Sequence, residues 1–488
     1  MDMTRDKSNI VPALVMGLVI VVMILVPLKI IGYGYLPEDD ALRHAAKAVS
    51  GKSWDQILVT RSEAVMDNHP AWHGILGFLH HSMGWGTDSL VVFSVVTLFA
   101  VFCLVPVIFL FRPEAWPLTL LILFLTDISL VKRLLYGRPY IMSMVAVAVI
   151  CLVWPRLKEN RPPYKPAAVI AFFTALAAWV HGSWYLFALP VACFFLARER
   201  RAGTIVALSC LYGIIIGALC TPYPFLFLKQ NIVHLCLAVG NSTLQRMLVT
   251  ELQPFTGDVL TVMAVLGVLA WRYMRGAWDR KAVDNPVFIL IVAGWILGFV
   301  SKRFWFDWGM PALCVWMATE FQEFFDKKVD LYSWRRAIIA VVIASTFYIA
   351  MTNDAGGRWT NNLTIEYLSA DNPEQAEWLP EPDGIVYSDD MTIFYETFFK
   401  NPKAPWRYML GFEAALMPPE DLAIFRKIQW NYSAYQSFAP WVEKMRPADR
   451  LILRRSFGEK PNIPGLEWHY AASGIWIGRP PRQPQPAK

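Results

Sequence analysis

The chain alternates long apolar runs with short basic loops, and that alternation limits what it can fold into more than any other feature. The runs fall near residues 10–31, 89–111, 116–131, 139–155, 167–182, 184–197, 204–220, 257–271, 286–300, 309–325 and 337–351. In a bilayer the backbone must satisfy its own hydrogen bonds, so a spanning helix needs about 20 apolar residues. The sequence predicts a polytopic α-helical membrane protein of about eleven spans, several of them short. Composition agrees: 56% of the 488 residues are hydrophobic, 17% are charged, and the mean hydropathy is +0.37. That excludes an ordinary soluble domain.

Charge sets the orientation. Met1 to Asn9 carries Arg5 and Lys7 ahead of a run too long for a signal-peptide core and without a small-residue cleavage site. It reads as a retained first span with a cytoplasmic N-terminus. On that parity the inner connections hold Arg112; Arg156, Lys158, Arg161 and Lys165; Arg198, Arg200 and Arg201; Arg272, Arg275, Arg280 and Lys281; and Lys327, Lys328, Arg335 and Arg336. Every inner connection is basic, as the positive-inside rule requires. The net charge of +6 therefore reports topology and gives no argument for nucleic acid as a partner. The expected location is the bacterial inner membrane.

Residues 1–351 form the expected membrane domain, with outer loops at 32–88 and 221–256. Residues 352–478, poorer in apolar residues, form a small extracytoplasmic (periplasmic) α/β domain, and 479–488 a disordered proline-rich tail. In the first loop, DDALRHAAKAVS repeats Leu42, Ala45, Ala46 and Val49 at helical spacing before Gly51. PAWHGILGFLHHSMG, 70–84, reads as a second amphipathic helix. In the C-terminal domain, 384–388 and 450–455 read as strands, 468–478 as a hairpin, and 391–399 and 419–428 as helices. The seven cysteines, none beyond 314, lie in or beside apolar runs and read as packing residues. Cys210 and Cys220 are separated by about 15 Å of helix, too far for a disulfide.

Two features depart from a plain bundle. Glu38, Asp39 and Asp40 follow the first span directly, on the outer side. Cations also gather at outer span ends, where they are costly unless paired or used: Lys132, Arg133 and Arg138 in VKRLLYGRPY, Lys302 and Arg303 in VSKRFWFDW, and Lys229 and Arg246 in the second loop. Snorkelling to lipid headgroups is one explanation. Glycosyl transfer from a lipid-linked phosphate sugar is another, because it needs both features. Cations or a metal hold the phosphate as its charge develops, and a carboxylate takes the acceptor's proton. Phe304, Trp305, Phe306 and Trp308 offer aromatic cover for a sugar.

One span followed at once by PEDDALRHA resembles the GT-C superfamily of integral-membrane glycosyltransferases. Among its members are the protein O-mannosyltransferases and the lipid A aminoarabinose transferases, with a DE or DD pair after the first span. DNHPAWHGILGFLHHSMGW, 67–85, resembles the family's charged residue, proline and aromatic-rich helix before the second span. The likeness covers the first 110 residues in motif, the later spans in layout, and the outer domain in position alone. It implies a polyprenyl-phosphate-linked sugar donor, a periplasmic acceptor, and Asp39 as catalytic acid with Asp40 beside it. It also allows a divalent metal, Mg²⁺ or Mn²⁺, at that pair. Asp67 takes the place of a second charged residue, and Pro70-Ala71 stands where the family often has two prolines.

Other readings stay open for each residue. Asp39 or Asp40 can serve as a helix cap. Asp67, His69 and His181 are candidates to touch the acceptor or sugar, with Trp305; His69 and His73 also have the i, i+4 spacing of metal ligands but lack the glutamate of HExxH. His181 equally suits a bond to a backbone carbonyl. Asp389 and Asp390 read as an N-cap, and Asp307 as a partner for Lys302 or Arg303. The sequons at 241, 362 and 431 read as chance matches in a bacterial protein. A transporter or flippase would place charge in mid-span, where Asp127 and Glu320 are the main candidates. A non-catalytic envelope scaffold would not need the Asp pair, and a polysaccharide polymerase or ligase would centre on a large late outer loop.

Overall fold

The computed structural model describes residues 10–61, 67–159, 162–240, 253–455 and 458–481. Arg5, Lys7, Arg161, Arg246, the sequon at 241–243 and most of the proline-rich tail lie outside them. The chain divides into two compact units. One holds Met1–Tyr35, Phe93–Asn231 and Val249–Asn361; the other holds Leu36–Val92, Ile232–Leu248 and Asn362–Lys488.

The first unit is helical. Among the described residues, Ile10–Ile31, Thr87–Phe109, Arg200–Leu219 and Trp334–Thr352 are long and apolar enough to cross a bilayer; the last three of these are joined by shorter apolar helices at Ala115–Thr126, Ile141–Leu157, Trp184–Leu196, Val259–Met274 and Pro286–Gly298. (Thr87–Phe109 begins in the second unit and runs into the first.) Small residues let the helices close up. A Cβ at Gly213 would meet the Ala171 carbonyl at 2.4 Å, and one at Gly217 the Ala175 carbonyl at 2.6 Å, so Arg200–Leu219 lies hard against Tyr164–His181. Ile10–Ile31 packs through Val11 and Val15 on Ala340 of the last long helix.

Two apolar runs are not continuous helices. The run at 116–131 breaks at Asp127, which has extended backbone angles and accepts a bond from Ser129 N at 2.8 Å to cap Ile128–Leu135. Asp127 is thus a cap at a break. Before Met310–Lys328 the chain makes a π-helical turn, Phe304–Gly309. That turn fits because Gly294 and Gly309 meet backbone to backbone, where a Cβ on Gly294 would lie 2.6 Å from Gly309 Cα. The stretch 221–256, expected as a loop, contains the helix Pro224–Gly240.

Charges expected on the inner side meet one another within this unit. Arg336 forks onto Glu114 at 2.7 and 2.9 Å, with both side chains 2% exposed. Arg112 donates to Asp326 at 3.2 Å. Arg272 donates to Glu320 at 2.5 Å and Glu323 at 2.9 Å, so Glu320 is one half of an ion pair. Cys103, Cys151, Cys193, Cys210 and Cys314 are buried and reduced, as expected of packing residues, whereas Cys220 and Cys236 are exposed.

The second unit joins the first outer loop to the C-terminal domain. A five-stranded sheet has the order β2-β1-β3-β5-β4, where β1 is Ile385–Tyr387, β2 Arg407–Tyr408, β3 Arg450–Arg454, β4 Glu467–Ala472 and β5 Ile475–Arg479. β1 runs parallel to β2 and β3, and β3, β5 and β4 form antiparallel pairs. Ser473 and Gly474, both at positive φ, make the tight β4–β5 turn. Met391–Lys400 and Pro419–Trp430 are the expected helices. The two-residue β2 is too short to leave a periodic signal.

What holds the loop to this domain is strand addition. Leu58 bridges in parallel to Tyr408, Val59 N donates to Tyr408 O at 2.9 Å, and Arg61 N to Leu416 O at 2.9 Å. Gly411 leaves room for the Leu58 side chain, since a Cβ there would lie 2.7 Å from its methyl carbons. Trp54 packs at a tilt on Phe412, ring centroids 4.8 Å apart, and Lys52 Nζ donates to Ala404 O.

Candidate functional site

In the second unit the helix Asp40–Ser50 is the organising element. Leu42, Ala45 and Ala46 are fully buried, and Gly51 ends the helix in the left-handed conformation. Asp39 occupies the N-cap position but makes no side-chain capping bond to the helix. The cap reading of Asp39 is therefore corrected: the carboxylate sits at the positive end of the helix without being used to close it. Asp40 is committed instead to Arg43, whose Nε donates to Asp40 Oδ1 at 2.6 Å. Arg43 is 4% exposed and lies 4.1 Å over the Phe412 ring, so the C-terminal domain fixes the guanidinium that fixes Asp40. Glu38 is exposed beside them.

One turn further along, at the i+4 position from Asp40, His44 begins a chain of bonds. Its Nδ1 lies 2.7 Å from His73 Nε2, and His73 Nδ1 lies 2.5 Å from Asp67 Oδ2. His44 is fully buried and His73 nearly so. Burial alone would raise the Asp67 carboxyl, but the His73 charge and hydrogen bond, with His69 behind them, outweigh it and hold the group well below the usual carboxylate range. Asp67 is therefore an acceptor only. With His73 neutral, its Nδ1 carries the proton, its Nε2 accepts from His44 Nδ1–H, and His44 Nε2 is left as a proton-accepting nitrogen. His69 packs edge-on to His44 at 4.8 Å, and its backbone N–H donates to Asp67 Oδ1 at 3.0 Å.

Asp67 thus meets His69 through the backbone N–H and His73 through the ring. His44 escaped the sequence reading because an isolated histidine on an Ala-rich helix face carries no spacing signal. Among the described residues no three His, Cys, Asp or Glu side chains are grouped to hold a metal ion. Of the Asp pair, Asp40 is engaged by Arg43 through Oδ1.

In the first unit the expected cations divide. Arg133 is buried and donates to Asp307 Oδ1 from Nε at 2.9 Å and Nη2 at 2.5 Å, while Arg303 Nε lies 4.0 Å from the other oxygen. Asp307 was expected to pair with Lys302 or Arg303; its nearest cation is Arg133, brought in from 174 residues away. Tyr140 lies under that guanidinium at 4.2 Å and donates its hydroxyl to Arg133 O at 2.8 Å. Lys132 is exposed, and Arg138, Lys302 and Arg303 are half-buried. His181 meets Ser143 Oγ at 3.4 Å and the Tyr140 ring at 6.1 Å. Trp305 is corrected outright: at 2% exposure, packed on Phe255 and against Gly309, it is core and presents no face to a sugar. Phe306 and Trp308 are buried too.

In the C-terminal domain Asp390 is the N-cap of Met391–Lys400, accepting from Thr392 N at 2.8 Å, and Asp389 pairs with Arg455 at 3.3 Å. Neither forms a second catalytic pair.

No protein-family model matches the chain, and no curated protein does. Solved structures do. ArnT from Cupriavidus metallidurans, a lipid A aminoarabinose transferase solved in the apo state, superposes with a TM-score of 0.51 at 12% identity, over 91% of this chain and 94% of its own. The arabinofuranosyltransferase AftD from Mycobacteria gives 0.54 at 15% identity over 95% of this chain, which spans 41% of that longer protein. Both are GT-C superfamily members. At these identities the likeness is one of fold: the chain has a GT-C fold, as its opening motif led us to expect.

Proposed function

We propose that the protein is an inverting membrane glycosyltransferase that moves one sugar from a polyprenyl-phosphate donor to a periplasmic acceptor. The supporting observation is the division of labour in the acid pair. Asp40 is locked to Arg43, whereas Asp39 stands at the helix start with its carboxylate unused as a cap. In the proposed step an acceptor hydroxyl attacks the anomeric carbon as its proton passes to Asp39. The bond from that carbon to the phosphate oxygen breaks, and polyprenyl phosphate leaves with the bonding pair. Arg138, Lys302, Arg303 and Lys132 take the phosphate charge, with Arg133 divided between that task and Asp307. Asp67 acts through His73 and His44 on the same helix as the acid pair, and His69 and His181 contact acceptor or sugar. About eleven spans, a cytoplasmic N-terminus and a periplasmic second unit complete the reading.

The test is label transfer by the purified full-length chain from a panel of radiolabelled polyprenyl-phosphate sugars, with a periplasmic glycan extract, and with and without Mg²⁺. Transfer lost in Asp39→Asn while the protein stays folded supports the reading. Equal transfer by the variant returns Asp39 to a structural role. Donor movement across liposome membranes without any transfer would make the protein a flippase.

A further inference from the structure

The buried guanidinium groups of Arg43, Arg112, Arg133, Arg272 and Arg336 each have a carboxylate, whereas half-buried Arg358 has no carboxylate within ion-pair distance among the described residues. It follows the helix Trp334–Thr352, in the turn Asn-Asp-Ala-Gly-Gly-Arg-Trp. Gly356 and Gly357 both take positive φ there, at 71° and 69°. Asp354 is the one acid close by, and both its oxygens serve the turn: Oδ1 accepts from Trp359 N at 2.5 Å and Oδ2 from Thr360 Oγ1 at 2.8 Å. The guanidinium lies 4.5 Å over Phe124 and 4.1 Å over Trp359. Its single hydrogen bond among the described residues runs from Nη1 to Ala350 O at 3.3 Å. Nε and Nη2 are buried with no partner, and so is the indole N–H of the adjoining Trp359, a residue 1% exposed.

Burial lowers the Arg358 pKa to about 10, against a small opposing pull from Asp354. Ring contacts stabilise such a cation, but by less than desolvating an unpaired charge costs. A fixed cation left short of negative charge, presenting a forked donor edge, suits a tetrahedral oxyanion better than a neutral group. The side chain as a whole is part-exposed, while its Nε and Nη2 donors are buried and unsatisfied, so the edge that lacks a partner is the one that would hold an anion.

We propose that Arg358, with the Asp354-held Gly-Gly turn, is a binding site for the phosphate anion of a lipid. Two sources share that chemistry, the phosphate of a lipid-linked donor and an anionic phospholipid headgroup. The first rests on the transferase reading; the second does not.

The experiment uses the full-length protein in phosphatidylcholine nanodiscs, titrated separately with undecaprenyl phosphate and with phosphatidylglycerol, and bound lipid counted by native mass spectrometry. Arg358→Gln is expected to weaken one of the two by about tenfold or more, as for a lost charged hydrogen bond, and Arg358→Lys to weaken it less. Loss of undecaprenyl phosphate binding assigns the site to the donor; loss of phosphatidylglycerol binding assigns it to a headgroup. Equal binding of both by wild type and the Gln variant overturns the site. Should the Gln variant fail to fold, hydrogen exchange across 353–361 in the wild type decides: slowing by either lipid supports the site, and no change with both overturns it. If label transfer fails while Arg358→Gln still loses lipid, the transferase reading falls and the anion site stands.

Discussion

The two units treat buried charge differently. In the helical unit it is closed into pairs: Arg336 with Glu114, Arg272 with Glu320, Arg133 with Asp307. A closed pair has its proton inventory settled and its geometry fixed, which suits a scaffold. In the mixed unit closed pairs occur too, such as Asp389 with Arg455, but around the helix Asp40–Ser50 charge is strung into chains. Asp67, His73 and His44 form one such chain, and Phe412, Arg43 and Asp40 another. Arg358, held over Phe124 and Trp359, departs from that pattern in the helical unit.

The strongest attempt to break this contrast separates Asp39 from Asp40. Asp39→Asn is expected to lower transfer by about 10²–10⁴-fold, the range for a lost general base. Asp40→Asn should act mainly through Arg43, with a smaller loss and a lower melting temperature. Equal losses with equal stability would erase the distinction. Next come the closed pairs: Glu114→Gln leaves Arg336 buried without its counter-charge and should cost about 3–5 kcal/mol. Replacing both with Met should be near neutral, which a two-variant thermal melt would reveal.

Gly411→Ala tests the seat of the loop on the sheet. The added methyl meets Leu58, and overpacking of this kind costs about 1–3 kcal/mol. Proteolysis within 52–61 should quicken in the variant, and unchanged protection would show that strand addition does not hold the loop. The smallest effect is the most specific. Asp67 titrates lower in the folded protein than its ordinary 3.8, so it contributes stability above about pH 5 that is lost as pH falls below about 4. Asp67→Asn should cost about 1–3 kcal/mol at neutral pH. Its gap from wild type should close in acid, and a gap constant with pH would sink the assignment.

Much of this was legible in the residues. Apolar runs placed the helices, and alternation placed β1, β3 and the β4–β5 hairpin, because each signal is local. The acid pair was legible because it follows a span directly. Asp307 with Arg133, and Arg43 with Phe412, were not, since 174 and 369 residues separate the partners and neither leaves a local pattern. The break at Asp127 was hidden inside a run apolar enough to pass for one helix. Trp305 misled because aromatic residues suit a sugar platform and a core equally well, and burial, which decides between them, is a property of the fold.

Strand addition also sets a clock. Leu58 leaves the ribosome about 350 residues before Tyr408, the residue it pairs with, and at roughly 5–20 residues per second that is a delay on the order of half a minute. Throughout that interval the acid-bearing loop has no sheet edge to join and Arg43 has no Phe412 beneath it. The chain therefore matures last at its earliest loop: the helices are threaded first, and the acid pair takes its final form only when the C-terminal domain has been made.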